Sequence, residues 1–285
     1  MTICDKVNQI LGYTQQEIRI MLRNIKMLKN WYLYYLLIGK DKVFITKSGD
    51  KFYVEGENRW EEKKLIDVIA EVYYLHMYGQ HSTFDIEDQD IVVDVGANIG
   101  IFTIYAAKRT IHGKVYSFEP FPKTFEILNK NVYLNGLKNV ETFKMGIGRK
   151  RGVQKFYIAS FSIFNTSYPE LRNGEKLDET IVNTLSINDL FEGLNCKKID
   201  FLKMDCEGAE YDAIFNTKPE YFERIKKIVM ELHYPIQNYT YDDMIIFLTE
   251  KGYKVDYDES RKVKIMNEKI PFGMMRYAER KNKNE

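Results

Sequence analysis

The stretch Asp90-Ile-Val-Val-Asp94-Val-Gly96-Ala-Asn98-Ile-Gly100 constrains the fold more than any other part of the chain. Ile91, Val92 and Val93 form the β-branched run that a strand buried on both faces requires. Asp94 follows where that strand runs out. Gly96 and Gly100 punctuate a tight turn, and Ile101-Phe-Thr-Ile-Tyr-Ala-Ala-Lys108 continues as a helix. Strand, glycine turn and helix open a doubly wound α/β sheet, which binds ligands beyond the carboxyl ends of its strands.

The turn residues bear on which ligand that is. A dinucleotide fingerprint needs its second glycine so that backbone can approach a pyrophosphate. Here Asn98 occupies that place. Asp94 would repel a phosphate and attract an ammonium group. The next strand ends in a second acid, Glu119, 25 residues after Asp94, near the offset of about 20 at which an acid grips a ribose diol. One acid for an amine and one for a ribose suit S-adenosylmethionine, which carries both and no phosphate. Asp94, Gly96, Asn98, Gly100, Glu119 and Pro120 are the expected cofactor residues.

A chain of 285 residues with 45% hydrophobic composition can bury a full core, enough for one large domain with a small appendage. Residues 1–82 are expected to be an accessory region of helices and one β-hairpin. Thr14 and Glu17 read as a capping box, Val43–Thr46 and Phe52–Val54 as the hairpin, and Glu61–Met77 as a helix. No catalytic grouping is recognisable there, and its aromatics read as core. Residues 83–270 are expected to hold the main α/β domain and 271–285 a tail. Within the domain, strands are expected at 91–95, 114–119, 140–143, 153–158, 199–205 and 227–231. Helices are expected at 99–109, 123–135, 186–191, 210–216 and 242–251. Tyr253–Tyr257 and Lys262–Met266 read as a closing antiparallel pair. Residues 159–180 are polar and lack periodicity, as a functional loop would, and Phe161, Phe164 and Tyr168 there could stack on a flat ring or a sugar.

Charges balance to +1, so no nucleic-acid partner or membrane surface is indicated. Cys4, Cys196 and Cys206 make neither a disulfide framework nor a zinc pattern, which fits a reducing, cytoplasmic setting. No leader is expected, because Lys6 and Gln9 interrupt the opening run. The longest apolar run, Trp31–Ile38, is far short of the ~20 residues of a membrane helix. Oligomeric state is not legible.

The second informative site lies where a buried strand should carry no charge. Ile199-Asp-Phe-Leu-Lys203-Met-Asp205 places Lys203 and Asp205 on one face, and Glu207 and Glu210 follow in the turn. Ionised groups at such depth cost several kcal/mol unless paired. The next strand repeats the pattern with Glu231 and His233. Proton transfer is the first reading of Asp205, Glu207, Glu231 and His233. A divalent metal on the same oxygen-rich set ranks second, and no metal is assigned.

At this point the residues resemble those of the FkbM-type S-adenosylmethionine-dependent methyltransferases. Val92-Val-Asp94-Val-Gly-Ala-Asn-Ile-Gly100, Phe118-Glu119-Pro-Phe-Pro122 and Asn131-Val-Tyr-Leu-Asn135 carry the likeness. So do Lys203-Met-Asp205-Cys-Glu207-Gly-Ala-Glu210 and Glu231-Leu-His233, all in the family's order over residues 85–257. The resemblance implies a Rossmann-like sheet of seven strands and methylation of a hydroxyl oxygen on a sugar, polyketide or related metabolite. An alcohol is a weak nucleophile, so a base is needed. His233 or Asp205 is the expected base, with Lys203 and Glu207 positioning the acceptor and Glu231 orienting His233. The acceptor is expected to be a small molecule, lipid or glycan. The competing readings are a nicotinamide-dependent oxidoreductase on the same fold and a non-catalytic Rossmann-like binding module.

Overall fold

In the computed structural model the described residues are 15–36, 42–56, 58–75, 78, 85–158, 178–194, 196–233, 239–257, 264–265, 268–269 and 274–280. Thr14, the 159–177 stretch with Phe161, Phe164 and Tyr168, and residues 281–285 lie outside them. Helical spacing of apolar residues gives Gln15–Met27 (α1), which buries Ile18, Asn24 and Met27. A single turn, Leu33–Leu36 (α2), leads to a hairpin of Lys42–Ile45 (β1) and Lys51–Val54 (β2), with Phe44 opposite Phe52. Arg59–Tyr73 (α3) follows, and the Asn58 side chain caps it by accepting from the Trp60 and Glu61 N–H groups. The helix stops at Tyr73, short of the Met77 expected from periodicity.

The central strands are Ile91–Val95 (β3), Lys114–Phe118 (β4) and Val140–Phe143 (β5). Ile101–Ala107 (α4) and Pro122–Leu134 (α5) connect them. Gly146–Ile147 (β6), Gly152–Ile158 (β7) and Asp178–Leu185 (β8) make a separate three-stranded sheet in the order β6-β8-β7. Ile187–Gly193 (α6) then leads to Ile199–Met204 (β9), Ala209–Phe215 (α7), Pro219–Phe222 (α8) and Ile225–Leu232 (β10). Tyr241–Glu250 (α9), Tyr253–Tyr257 (β11), Lys264–Ile265 (β12), Glu268–Lys269 (β13) and Met274–Arg280 (β14) complete the described elements. The main sheet has seven strands in the order β11-β14-β10-β9-β3-β4-β5. The five strands from β10 to β5 run parallel, and β14 is antiparallel to both neighbours. This is the expected Rossmann-like α/β architecture.

Two-residue alternation divides the core between the faces of this sheet. Val92, Phe201 and Val229 pack with Phe102, Phe44, Phe52, Leu65 and Ile69, so the N-terminal elements share one core with the sheet. Val93, Leu202, Ile228 and Met230 pack on the other face with Leu190, Tyr211 and Leu248.

Three expectations need correction. Residues 178–180, expected as the end of the 159–180 loop, instead open β8, which runs on to Leu185. Its outer positions are polar or, like Ile181, 72% exposed, so the alternation of a half-buried strand is blurred. Tyr253–Tyr257 pairs with Met274–Arg280, while Lys264–Ile265 pairs with Glu268–Lys269. Local alternation reveals a strand but not a partner that arrives after an intervening hairpin. Residues 274–280 are therefore a sheet strand flanked on both sides, not part of a tail.

The Asn131-Val-Tyr-Leu-Asn135 segment of α5 clips the hairpin to the domain. Asn131 accepts from Tyr53 N at 2.6 Å and donates to the carbonyls of Tyr53 (3.0 Å) and Ile99 (2.8 Å). One turn on, Asn135 accepts from Lys51 N at 3.0 Å and donates to Lys51 O at 2.7 Å. Helical i, i+4 spacing thus matches alternate residues of an edge strand. Asn131→Ala strands buried backbone groups that each cost about 1–3 kcal/mol. Urea unfolding should show a loss of roughly 2–4 kcal/mol for Asn131→Ala, and under ~1 kcal/mol for Asn135→Ala, whose bonds to Lys51 are solvent-exposed.

Candidate active site

The glycine turn is shaped by what crowds it. Gly96 has φ +72°, and a Cβ there would lie 1.8 Å from the Asp205 carbonyl oxygen, so only glycine lets the ends of β3 and β9 meet. Gly100, at φ +88°, starts α4 and would drive a Cβ to 2.6 Å from the Leu128 side chain. Between them Asn98 sits at φ +50°, a left-handed conformation that asparagine tolerates. Its N–H donates to Glu119 Oε2 at 2.9 Å, and Phe121 N–H donates to Oε1 at 3.1 Å.

Glu119 is buried at the end of β4. Burial pushes its pKa up to about 7 against the pull of the two backbone N–H groups. Each oxygen has one backbone partner, and a carboxylate has about four acceptor sites. Capacity for two hydroxyl donors therefore remains on the cleft wall, which fits the ribose of the expected cofactor.

Asp94 does not line the cleft. It is fully buried beneath the turn, where Oδ2 accepts from Thr103 Oγ1 at 2.7 Å and Oδ1 faces Lys203 Nζ at 3.2 Å. Thr103 Oγ1 is in turn 2.9 Å from Ser117 Oγ. The ammonium that Asp94 attracts is the chain's own, so Asp94 acts on the cleft through Lys203 rather than on a ligand. Lys203 Nζ also donates to Gly96 O at 2.9 Å and lies 3.7 Å from Asp205 Oδ2. Burial lowers its proton affinity, but Asp94 and then Asp205 more than compensate, and the net shift is upward. Gly100 likewise supports the turn from behind.

Past β9 and β10 the charges converge on His233. Its Nδ1 lies 3.1 Å from Glu210 Oε1, and Nε2 lies 3.6 Å from Glu207 Oε2 and 3.9 Å from Asp205 Oδ1. Burial opposes a charge there, yet Glu207 and Glu210 outweigh it and hold the imidazole well above its ordinary pKa. Glu210 is fully buried and also accepts from Cys206 N at 2.8 Å and Gly208 N at 2.9 Å. Burial pushes the Glu210 carboxyl upward, but His233 and these hydrogen bonds outweigh it and hold its pKa below the ordinary value. The carboxylate within hydrogen-bond distance of His233 Nδ1 is Glu210 rather than the expected Glu231, and both ring nitrogens face carboxylates. The missed signal was the i, i+3 spacing of Glu207 and Glu210 around a glycine, which brings both carboxylates to one ring. Glu207 itself sits at φ +51°, a rare conformation for a residue with a side chain.

One cleft of about 630 Å3 joins these groups at the carboxyl ends of β3, β4, β9 and β10, within the range of small-molecule sites. Gly96, Asn98, Glu119 and Pro120 line one part; Lys203, Asp205, Glu207, Glu231 and His233 line another. Among the described residues no three His, Cys, Asp or Glu side chains are grouped as a metal site would require. The accessory region contributes after all. Glu71 of α3 and Tyr78 line the cleft, and the Tyr78 hydroxyl donates to Asp205 Oδ2 at 3.4 Å. Tyr78 is buried edge-on against Phe102, with centroids 5.0 Å apart. It lies in an aromatic run, Tyr73-Tyr-Leu-His-Met-Tyr78, that resembles ordinary core, so nothing local singles it out.

A family model described as the methyltransferase FkbM domain matches residues 94–255. Methyltransferase 1 of Beauveria bassiana is 28% identical over 162 residues, covering 51% of this chain and 65% of that protein. Methyltransferase sdnD of Sordaria araneosa is 24% identical over 222 residues, covering 67% and 85%. The 31-O-demethyl-FK506 methyltransferase FkbM of Streptomyces tacrolimicus is 22% identical over 193 residues, covering 57% and 72%. No helix among the described residues is long and apolar enough to cross a membrane.

The charge pattern predicts how stability follows pH. Glu119 has a raised pKa of about 7, so the folded state holds a proton that the unfolded chain releases, and stability falls as pH rises from about 4.5 to about 7. Glu231, raised to about 8, extends the fall. His233, also raised, contributes stability that is complete below about pH 6.5 and is lost as pH rises through its folded value. Thermal unfolding of the protein alone should therefore show a midpoint that declines from about pH 5 to about pH 8. Glu119→Gln should flatten the lower half of that decline.

Proposed function

This chain belongs to the FkbM family of S-adenosylmethionine-dependent methyltransferases, and from that premise we propose that it methylates a hydroxyl oxygen on a sugar, glycan, lipid or related metabolite. The observation that supports this reading is a single cleft with two chemically distinct parts. One part has a buried carboxylate with capacity for a diol, beside a turn in which Asn98 replaces the second glycine of a dinucleotide fingerprint. The other has carboxylates arrayed around a lysine and an imidazolium. No observation favours the oxidoreductase or the non-catalytic module.

When bound, S-adenosylmethionine supplies an electrophilic methyl group on a sulfonium. The protein's work is to bind and align. Glu119 accepts from the ribose hydroxyls through the sites its backbone partners leave open. Lys203, anchored on Asp94, fixes the Gly96 carbonyl and with it the turn. Asp205 and Glu207, braced by His233 and Tyr78, accept from the acceptor's hydroxyls and hold the reacting oxygen in line. Such alignment can contribute about 7–11 kcal/mol to lowering the barrier. His233 thus organises the acceptor side as a fixed cation.

Calorimetry with S-adenosylmethionine, followed by a screen of hydroxylated glycans and lipids for uptake of labelled methyl, tests the reading. Glu119→Ala should weaken donor binding about 10- to 100-fold, the equivalent of a hydrogen bond to a charged group. His233→Ala should leave donor affinity nearly unchanged while lowering turnover, because Glu207 and Asp205 lose their common partner. If neither the donor nor its demethylated product binds, the reading fails.

A further inference from the structure

We propose that Glu231 is the general base of this transfer, taking the acceptor hydroxyl's proton on its carboxylate while the hydroxyl oxygen bonds to the methyl carbon. The inference rests on the methyltransferase reading above and deepens it. Glu231 lies one residue beyond the Met230–Met204 register pair, so it stands beside Asp205 at the strand ends, on the same strand face as His233. It lines the cleft.

What sets it apart is its lack of partners among the described residues. Asp205 faces Lys203, Tyr78 and His233; Glu207 faces His233; Glu119 holds two backbone N–H groups. Each of those carboxylates has its lone pairs drawn toward a donor or a cation, which weakens it as a base. Glu231 alone among the strand-end acids has no hydrogen-bond donor and no cation within ion-pair distance among the described residues. The charged and titratable groups around it are Asp205, Glu207, His233, Glu71 and the Tyr78 phenol. Three of those five are carboxylates. Burial, and then Asp205, push the Glu231 pKa up to about 8, with His233 pulling the other way. A base whose proton affinity lies near the working pH is the effective kind.

The charge balance of the step favours this residue. The acceptor's O–H bond breaks and its proton goes to a Glu231 oxygen. The hydroxyl oxygen's electron pair forms the O–CH3 bond, and the pair of the S–CH3 bond returns to sulfur. A carboxylate and a sulfonium become a carboxylic acid and a thioether, so no net charge is created or stranded in the cleft. A positive sulfonium nearby also draws Glu231 into its ionised form, and loss of that charge lets the carboxyl keep its new proton.

The first test needs no acceptor. Binding of S-adenosylmethionine and of S-adenosylhomocysteine is measured by calorimetry from about pH 6 to about pH 9, in buffers of differing protonation heat, for the full chain and for Glu231→Gln. The donor-minus-product difference cancels the ribose contact to Glu119. In the unaltered protein that difference should tighten with rising pH, by up to about tenfold per unit below about pH 8, with proton release. In Glu231→Gln it should be flat. The thermal midpoint of Glu231→Gln at about pH 6 should match the parent, since the native carboxyl is uncharged there. In the second test, methyl transfer to the best acceptor from the screen should fall about 10²- to 10⁴-fold in Glu231→Gln and lose its rise near pH 8, with part recovered in Glu231→Asp. A Glu231→Gln protein with the parent's rate and pH profile, or with an unchanged donor-minus-product difference, overturns the proposal. Failure of the parent to bind either ligand overturns the methyltransferase reading, and this inference with it.

Discussion

A buried ammonium holds the site together. Lys203 lies opposite Asp94 in the β3–β9 register and reaches Asp94, Asp205 and the Gly96 carbonyl at once. Left alone at that depth, a charge would cost several kcal/mol. Carboxylates from two adjacent strands offset that cost. The register of the sheet and the shape of the glycine turn are therefore a single constraint. Sliding β9 by one residue would turn Lys203 to the opposite face, leave Asp94 buried without its cation and remove the donor that pins Gly96.

The same logic, with signs reversed, governs the end of β10. Glu207, Glu210 and Asp205 would repel one another if His233 were neutral. With His233 charged, Glu210 is held low and ties the ring to the backbone of the Cys206–Gly208 turn. One cation thus serves several acids and leaves Glu231 outside the network. The uneven distribution of partners, rather than the number of acids, differentiates otherwise similar carboxylates into structural, binding and proton-accepting groups.

Much of this was legible because the residues break local rules. A lysine and an aspartate in an otherwise apolar central strand, and a glutamate with a histidine two residues later, cannot be there for burial alone. Those anomalies marked the floor of the cleft. The glycine turn and the strand-end Glu119 marked its other wall in the same way. Roles were harder to read than membership. Asp94 could be placed at a strand end, but its partner Lys203 lies on another strand, and no spacing within one segment reveals that. The exchange of Glu231 for Glu210 as the partner of His233 has the same cause. β14 was lost because a strand flanked on both sides can be assigned only when its neighbours are known.

The N-terminal region shows no catalytic pattern in its sequence. Its elements carry ordinary amphipathic patterns because most of their residues do pack a core. Several of them nevertheless line the cleft, among them Arg23, Lys64 and Asp67 and, at the end of α3 and just beyond it, the two wall residues Glu71 and Tyr78. Their position depends on the hairpin, which Asn131 ties to the carbonyl of Ile99 inside the glycine turn. Both wall residues precede residue 94, where the family match begins. The groups expected to hold the donor, Gly96, Asn98 and Glu119, all fall within it. Tyr78 touches Asp205, on the side assigned to the acceptor. Changes before residue 94 can therefore reshape what the acceptor meets while the donor's contacts stay fixed, provided the asparagine clip keeps hairpin and turn in register.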